Sequence, residues 1–280
     1  MYEQLFNELV KRSKAALPPA ETDAVGDDGL RFCTICGKKR ETFVRPSWAP
    51  EALRVPIRCD CDRQEDQAFA KKQRKEERQR AVSSMKSISF DDPKMKAASF
   101  AGKGTEMNKA VNTTFRFLEN FDKLAAMGQG LLLYGPTGVG KTFAVACLVN
   151  ALNDQGVPAV LTSFPAIADW MTEDLDHRNA KIRQLQDAEL LAIDDLGAER
   201  SSEYMQETVE RIIDARYRSK KPLIITTNLT PGEMKAPNNV QRSRIYSRIQ
   251  EMCVPVAITG DDRRSSGSPA RDSARLLLGV

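Results

Sequence analysis

At 280 residues, with 41% hydrophobic and 29% charged side chains, the chain is long enough for one ordinary domain plus a smaller one. Its formal net charge of +4 is mildly basic, which permits an anionic partner without demanding one. No apolar run approaches the roughly 20 residues a membrane span needs, so membrane-spanning classes are set aside.

The N-terminus, MYEQLFNELVKRSKAA, spaces Leu5, Phe6, Leu9 and Val10 as a helical stripe and carries Glu3 and Glu8 ahead of its first lysine, unlike a signal peptide. The expectation is a cytosolic, reducing location, where clustered cysteines mean metal more often than disulfide. Residues 1–62 hold four of the six cysteines. The pair CTIC supplies Cys33 and Cys36, and CDC supplies Cys59 and Cys61. Two tight turns with four thiolates match the count of a closed tetrahedral Zn²⁺ site, with Gly37 permitting the sharp bend after the first pair. Redox activity of CTIC is the competing reading. A module this small gains from metal the stability that its core cannot supply.

Residues 63–100 read as a linker, most charged around KKQRKEERQR. Lys71, Lys72, Arg74, Lys75, Arg78 and Arg80 could follow a nucleic-acid backbone or form a solvated helix. Residues 101–264 then alternate short apolar runs with amphipathic ones, the pattern of an α/β domain with a parallel sheet. The predicted strands are GLLLY (130–134), PAVLTS (158–163), ELLAID (189–194), PLIITTN (222–228) and CVPVAIT (253–259). The predicted helices are FAVACLVNALNDQ, ended by Gly156; AIADWMTEDL, with Ile167, Trp170, Met171 and Leu175 on one face; and SSEYMQETVERIIDARYRS, opened by serines suited to capping. Cys147 and Cys253 read as core. Residues 265–280 read as a flexible tail apart from the last leucines.

The segment LLLYGPTGVGKT places a predicted strand directly before G-x-x-x-x-G-K-[ST] and a predicted helix directly after it. Gly135, Pro136, Thr137, Gly138, Val139, Gly140, Lys141 and Thr142 would wrap the phosphates of a nucleoside triphosphate, with backbone N–H groups pointing inward and the helix N-terminus behind them. Lys141 would reach the β- and γ-phosphates, and Thr142 would place its hydroxyl on Mg²⁺. ELLAIDDLG ends an apolar strand in two carboxylates at the same sheet edge. Asp194 would orient Mg²⁺ and Asp195 would polarise the attacking water. Asn228, ending the fourth strand, could sense the γ-phosphate.

Taken together, GQGLLLYGPTGVGKT, LLAIDDLGAERSSEYMQETVERIIDARYRSKKPLIITTNL and RSRIYSRIQEMCVPVAITGDDRR resemble the AAA+ ATPases of the DnaC/DnaI helicase-loader and IstB transposition-helper group, over residues 130–264. The resemblance implies five parallel strands in order 5-1-4-3-2 and an oligomer with ATP sites between subunits. It implies no full helical lid, since few residues follow Arg264. By the same resemblance Arg244 is the arginine finger, with Arg248 one turn later as the alternative, and Arg264 (or Arg263) is the arginine after the last strand. DnaI-like members carry zinc in the N-terminal part with which loaders grip the hexameric replicative DNA helicase. The implied function is an ATPase that loads that helicase onto single-stranded DNA. The alternative is a transposition helper that binds target DNA and recruits a transposase. DNA contact is expected from Arg216, Arg218, Lys220 and Lys221.

Overall fold

The computed structural model describes residues 23–47, 51–101, 108–170, 175–197, 203–235, 240–262 and 269–278. The stripe of Leu5, Phe6, Leu9 and Val10, Met171, and both Arg263 and Arg264 lie outside the described residues. The chain divides into two compact units, Met1–Glu76 and Glu77–Val280.

In the first unit, β1 (Asp23–Val25) pairs antiparallel with β2 (Arg31–Cys33), and β3 (Glu41–Val44) pairs antiparallel with β4 (Leu53–Pro56). Helix α1 (Asp60–Ile88) starts inside the second cysteine pair. Among the described residues of this unit, the buried side chains are Leu30, Cys33, Cys59 and the carboxylate of Glu41. Charge pairs surround them. Arg31 meets Glu41 at 3.0 Å, and Arg40 meets Asp23 at 2.8 Å and Asp62 at 3.0 Å. Each of these largely covered charges has an opposite partner, which shielding from water requires.

The charged run of α1 is solvent-exposed, as a solvated helix would be, but its last turns are not. Val82, Met85 and Ile88 recur at helical spacing and are buried, with Met85 and Ile88 inside the core of the second unit. The expected linker of 63–100 is therefore too long: residues from Glu77 onward belong to the larger unit, where the stripe of Val82, Met85 and Ile88 covers apolar surface.

The second unit runs α2 (Pro93–Lys96), α3 (Lys109–Glu119), α4 (Phe121–Ala126), β5 (Gly130–Tyr134), α5 (Lys141–Asp154), β6 (Ala159–Ser163), α6 (Phe164–Trp170), α7 (Leu175–Asp187), β7 (Leu190–Leu196), α8 (Glu203–Ser219), β8 (Leu223–Thr227), α9 (Pro231–Lys235), α10 (Val240–Met252), β9 (Cys253–Ala257) and α11 (Pro269–Leu278). All five strands are parallel, in the order β6-β7-β8-β5-β9. Numbered from the sheet's own first strand and read from the β9 edge, this is 5-1-4-3-2. Alternate strand residues face opposite layers. Leu132, Leu191, Ile193, Leu223 and Ile225 pack with α6, α7, α8, α10 and the end of α1. Leu131, Leu133, Leu190, Ala192 and Ile224 pack with α3, α4 and α5. Cys147 and Cys253 are buried in these layers.

The β6 edge is capped at two residues by side chains and one backbone amide. Asn153 of α5 both donates to Ala159 O and accepts from Ala159 N, each at 3.0 Å. Two residues on, Leu161 O accepts from Phe90 N at 3.0 Å, and Leu161 N donates to Ser89 Oγ at 3.3 Å. The C-terminal tail is helical over Pro269–Leu278, where a flexible segment was expected. Proline at the first position sets a helical φ, and the alanine, arginine and leucine residues that follow are good helix formers. Leu276, Leu277 and Leu278 are exposed.

Candidate nucleotide-binding site and cysteine cluster

The turn between β5 and α5 lies at the C-terminal edge of the sheet, and its glycines take backbone shapes that side chains resist. Gly140, at the helix N-cap, has φ 92 and Gly138 has φ 83. A Cβ at Gly135 would stand 2.0 Å from Ile258 O, so the turn can sit this close to the end of β9 only without a side chain. The turn opens on a cavity of about 470 Å³ lined by Thr137, Gly138, Gly140, Lys141, Thr142, Asp194, Asp195, Thr226 and Asn228. Lys94 and Met95 of α2, Asn108, Val111 and Phe143 complete its wall.

Lys141 is only 7% exposed. Its ammonium donates to Gly135 O at 2.7 Å, Pro136 O at 2.8 Å and Asn228 Oδ1 at 2.9 Å. Asn228 in turn donates to Asp195 Oδ1 at 3.3 Å. Thr142 Oγ1 donates to Asp194 Oδ1 at 2.8 Å, and Thr226 Oγ1 donates to the same oxygen. The structure thus brings Lys141, Thr142, Asp194, Asp195 and Asn228 into one cluster. Burial pushes the Asp194 carboxyl above its ordinary value, against the pull of the Thr226 and Thr142 hydroxyls; nearby Asp195 adds to the rise and Lys141 opposes it. A shielded carboxylate beside a hydroxyl gains from a dication, so these residues fit Mg²⁺. The glycine-rich turn, which lines the cavity at the N-terminus of α5, fits phosphate. When bound, the ion would neutralise charge shared between the outer phosphates.

Asn108 was not singled out from the sequence. Its Oδ1 accepts from Val111 N at 2.9 Å and caps α3, while its Nδ2 donates to Val139 O at 3.0 Å in the phosphate turn. An Asn just ahead of an apolar-periodic stretch is the available sequence signal, but it announces the cap and not the tether.

Arg244 is exposed on α10. Arg248 pairs with Asp214 of α8 at 2.7 Å and lies over the Tyr217 ring, 5.8 Å from its centroid. Of the two finger candidates, Arg248 is thus occupied within its own chain. The expected DNA contacts divide as well. Arg216 is fully buried and donates to Ala188 O at 2.7 Å, so it cannot be displayed to DNA. Burial lowers its guanidinium to about 9, with Asp187 opposing. Lys221 donates to Gln186 O at 3.2 Å and Asp187 O at 2.8 Å. Both cations finish the C-terminal end of α7, where unpaired carbonyls and the helix dipole attract them. Arg218 and Lys220 remain exposed.

In the first unit, the sulfurs of Cys33, Cys36, Cys59 and Cys61 lie within 4.8 Å of one another. Tetrahedral zinc with bonds near 2.3 Å needs sulfurs about 3.8 Å apart, which small side-chain shifts would reach. Gly37, with φ 70, turns the chain so that its N–H bonds Cys33 O at 2.8 Å. The Cys33 thiol is lowered to about 6, first by the backbone N–H of Cys36 and then by Arg40, whose Nη2 lies 3.7 Å from its sulfur. Cys61 is raised to about 12, chiefly by hydrogen bonding with Cys36 and by burial, and Cys59 is raised too. One ready thiolate beside thiols that resist ionisation is a donor set that fits a thiophilic cation.

Comparison with known proteins places this geometry among relatives. The replicative helicase loader DnaI of Bacillus subtilis (strain 168) is 26% identical over 160 residues, covering 53% of this chain and 51% of DnaI. The chain thus spans about half the length of that relative. The phage-like element PBSX protein XkdC of the same organism is 25% identical over 260 residues, 90% of each chain. A crystal structure of DnaI superposes with a TM-score of 0.53 and 25% identity, over 63% of this chain and 95% of that one. No described helix is long and apolar enough to cross a membrane. The model of the IstB-like ATP binding protein family matches residues 65–268, and with the phosphate turn and paired acids in place across that stretch, the chain belongs to this family.

Proposed function

We propose that the chain is an ATPase that binds a hexameric replicative helicase and loads it onto single-stranded DNA, with hydrolysis at subunit interfaces driving release. The observation that carries the reading is the convergence of Lys141, Thr142, Asp194, Asp195 and Asn228 on one cavity, in a chain that also carries a four-cysteine module. Family membership and the likeness to DnaI support ATP and Mg²⁺ as ligands and the helicase as the kind of partner. In this reading Asp194 and Thr142 hold the metal, Asp195 polarises water, Asn228 senses the γ-phosphate, and the cysteines hold a structural Zn²⁺. The test is capture of the hexameric helicase by the full chain. Capture should persist in Lys141→Ala and fall away in the double variant Cys33→Ser/Cys36→Ser. Capture of a transposase in place of the helicase would favour the second reading, a transposition helper.

The finger is assigned to Arg244, acting on the ATP of a neighbouring copy. Arg244→Ala should keep ATP binding and lose turnover by on the order of 10³-fold, since a fixed guanidinium neutralises developing charge. Mixing it with Lys141→Ala subunits should restore part of the turnover, because each supplies what the other lacks. A mixture as inactive as its components would remove the assignment.

A further inference from the structure

Asp194 and Asp195 are neighbours, and neighbours on a regular strand face opposite sides of the sheet. At this point β7 is not regular. Ile193 pairs with Ile225 and Leu196 with Thr227, so Asp194 and Asp195 together oppose the single residue Thr226. Asp195 takes φ 61, a left-handed shape that short polar side chains adopt more readily than others. A bulge of this kind re-aims side chains but leaves a backbone group outside the ladder.

Thr226 fills that gap. Asp195 N donates to Thr226 Oγ1 at 3.0 Å, and the same hydroxyl donates its proton to Asp194 Oδ1. Thr226 is 2% exposed and follows Leu223, Ile224 and Ile225 in the centre of the sheet. Valine would serve a central strand as well in shape and strand preference. A buried hydroxyl costs free energy unless it is bonded, and here both of its bonds go to the two acidic residues.

We propose that Thr226 is a positioning residue: its hydroxyl pins the β7 bulge, and so aims the Asp194 carboxylate at Thr142 and the Asp195 carboxylate at Asn228. The proposal rests on the ATP–magnesium reading of the site only for its catalytic consequence. The pinning itself can be read in nucleotide-free protein.

The experiment compares Thr226→Val, Thr226→Ala and Thr226→Ser in the full chain, each checked by thermal melting. In nucleotide-free protein, amide hydrogen exchange at Asp195 should quicken about 10-fold in the valine and alanine variants, the worth of one hydrogen bond, and stay near wild type in serine. ATP affinity in EDTA should hold within about 2-fold, while the gain in affinity on adding Mg²⁺ falls about 10-fold in valine and alanine. Turnover should drop about 100-fold with little change in KM, as expected when reacting groups are misplaced, and serine should recover most of it. Wild-type exchange at Asp195 in the valine and alanine variants would overturn the proposal, as would a serine variant no better than valine. Should valine not fold, alanine and serine decide the matter alone. If the wild type takes up no ATP, the nucleotide reading fails instead, and exchange at Asp195 still decides the pinning.

Discussion

Lys141→Ala should weaken ATP binding by about 100-fold or more and reduce turnover to background, the largest single-residue effect expected in the second unit. The geometry explains the size. The ammonium is nearly buried, and its three contacts, to two turn carbonyls and Asn228, hold it at the cavity mouth where phosphate oxygens would arrive. A positive charge held at low solvent exposure interacts more strongly with an anion than one in water. Removing it also strands acceptors that it satisfies, at about 1–3 kcal/mol for a buried group left unpaired. Lys141→Arg should not rescue, because a forked planar guanidinium cannot take the place of a compact ammonium among those acceptors. Titration with a fluorescent ATP analogue measures the binding loss. Affinity within 3-fold of wild type would sink the role assigned to the lysine.

The second large effect concerns the cysteine cluster. Protein purified without chelator should carry about one Zn²⁺ per chain, and stripping it should unfold the first unit while leaving the second intact. Among its described residues the unit buries little apolar surface, that of Leu30, Cys33 and Cys59, beside its charge pairs, so bound metal is expected to hold its four short strands together. Limited proteolysis after chelation should cut within residues 23–58 and spare the parallel sheet. Cys61→Ser should cost on the order of 100-fold in zinc affinity, one ligand's share of a structural site. The pH dependence has a definite sign. Zinc binds thiolates, and near neutral pH Cys33, at about 6, is largely ionised whereas Cys59 and Cys61, both raised, keep their protons. Binding therefore releases protons, and affinity should rise with pH and fall on acidification. Less than half an equivalent of zinc, or affinity indifferent to pH, would count against the site.

What the sequence made legible follows from how local each signal is. The phosphate turn declares itself within eight residues because its glycines, its lysine and its threonine each answer a steric or chemical demand of the turn. The five strands were readable because a central parallel strand is covered on both faces and so reads as an apolar run. The hairpins around the cysteines escaped notice, since strands of three and four residues are too short for alternation to show. Arg216 was misplaced by its charge alone. Its spacing told otherwise: Val209, Ile212, Ile213 and Arg216 fall at i, i+3, i+4 and i+7, the inward stripe of α8. The bulge at Asp194 and Asp195 was not readable at all, because it depends on the register between β7 and β8, separated by a whole helix.

The outer margins of the sheet bear on how copies of the chain can meet. On one side, the amide and carbonyl of Ala159 are taken by Asn153, and those of Leu161 by Ser89 and Phe90. On the other, the Ile258 N–H turns inward to Tyr134 O. The two-residue period then points Pro255 outward, where it has no N–H to give. The bonds at Ala159 and Leu161 on one side and the missing N–H of Pro255 on the other oppose lengthening of either flank by a strand from another molecule. Copies of the chain that assemble are therefore expected to join through helices and loops, keeping each sheet a separate rigid body. A nucleotide held between two such bodies, as the proposed function requires, would change the angle between them without tearing a single backbone ladder.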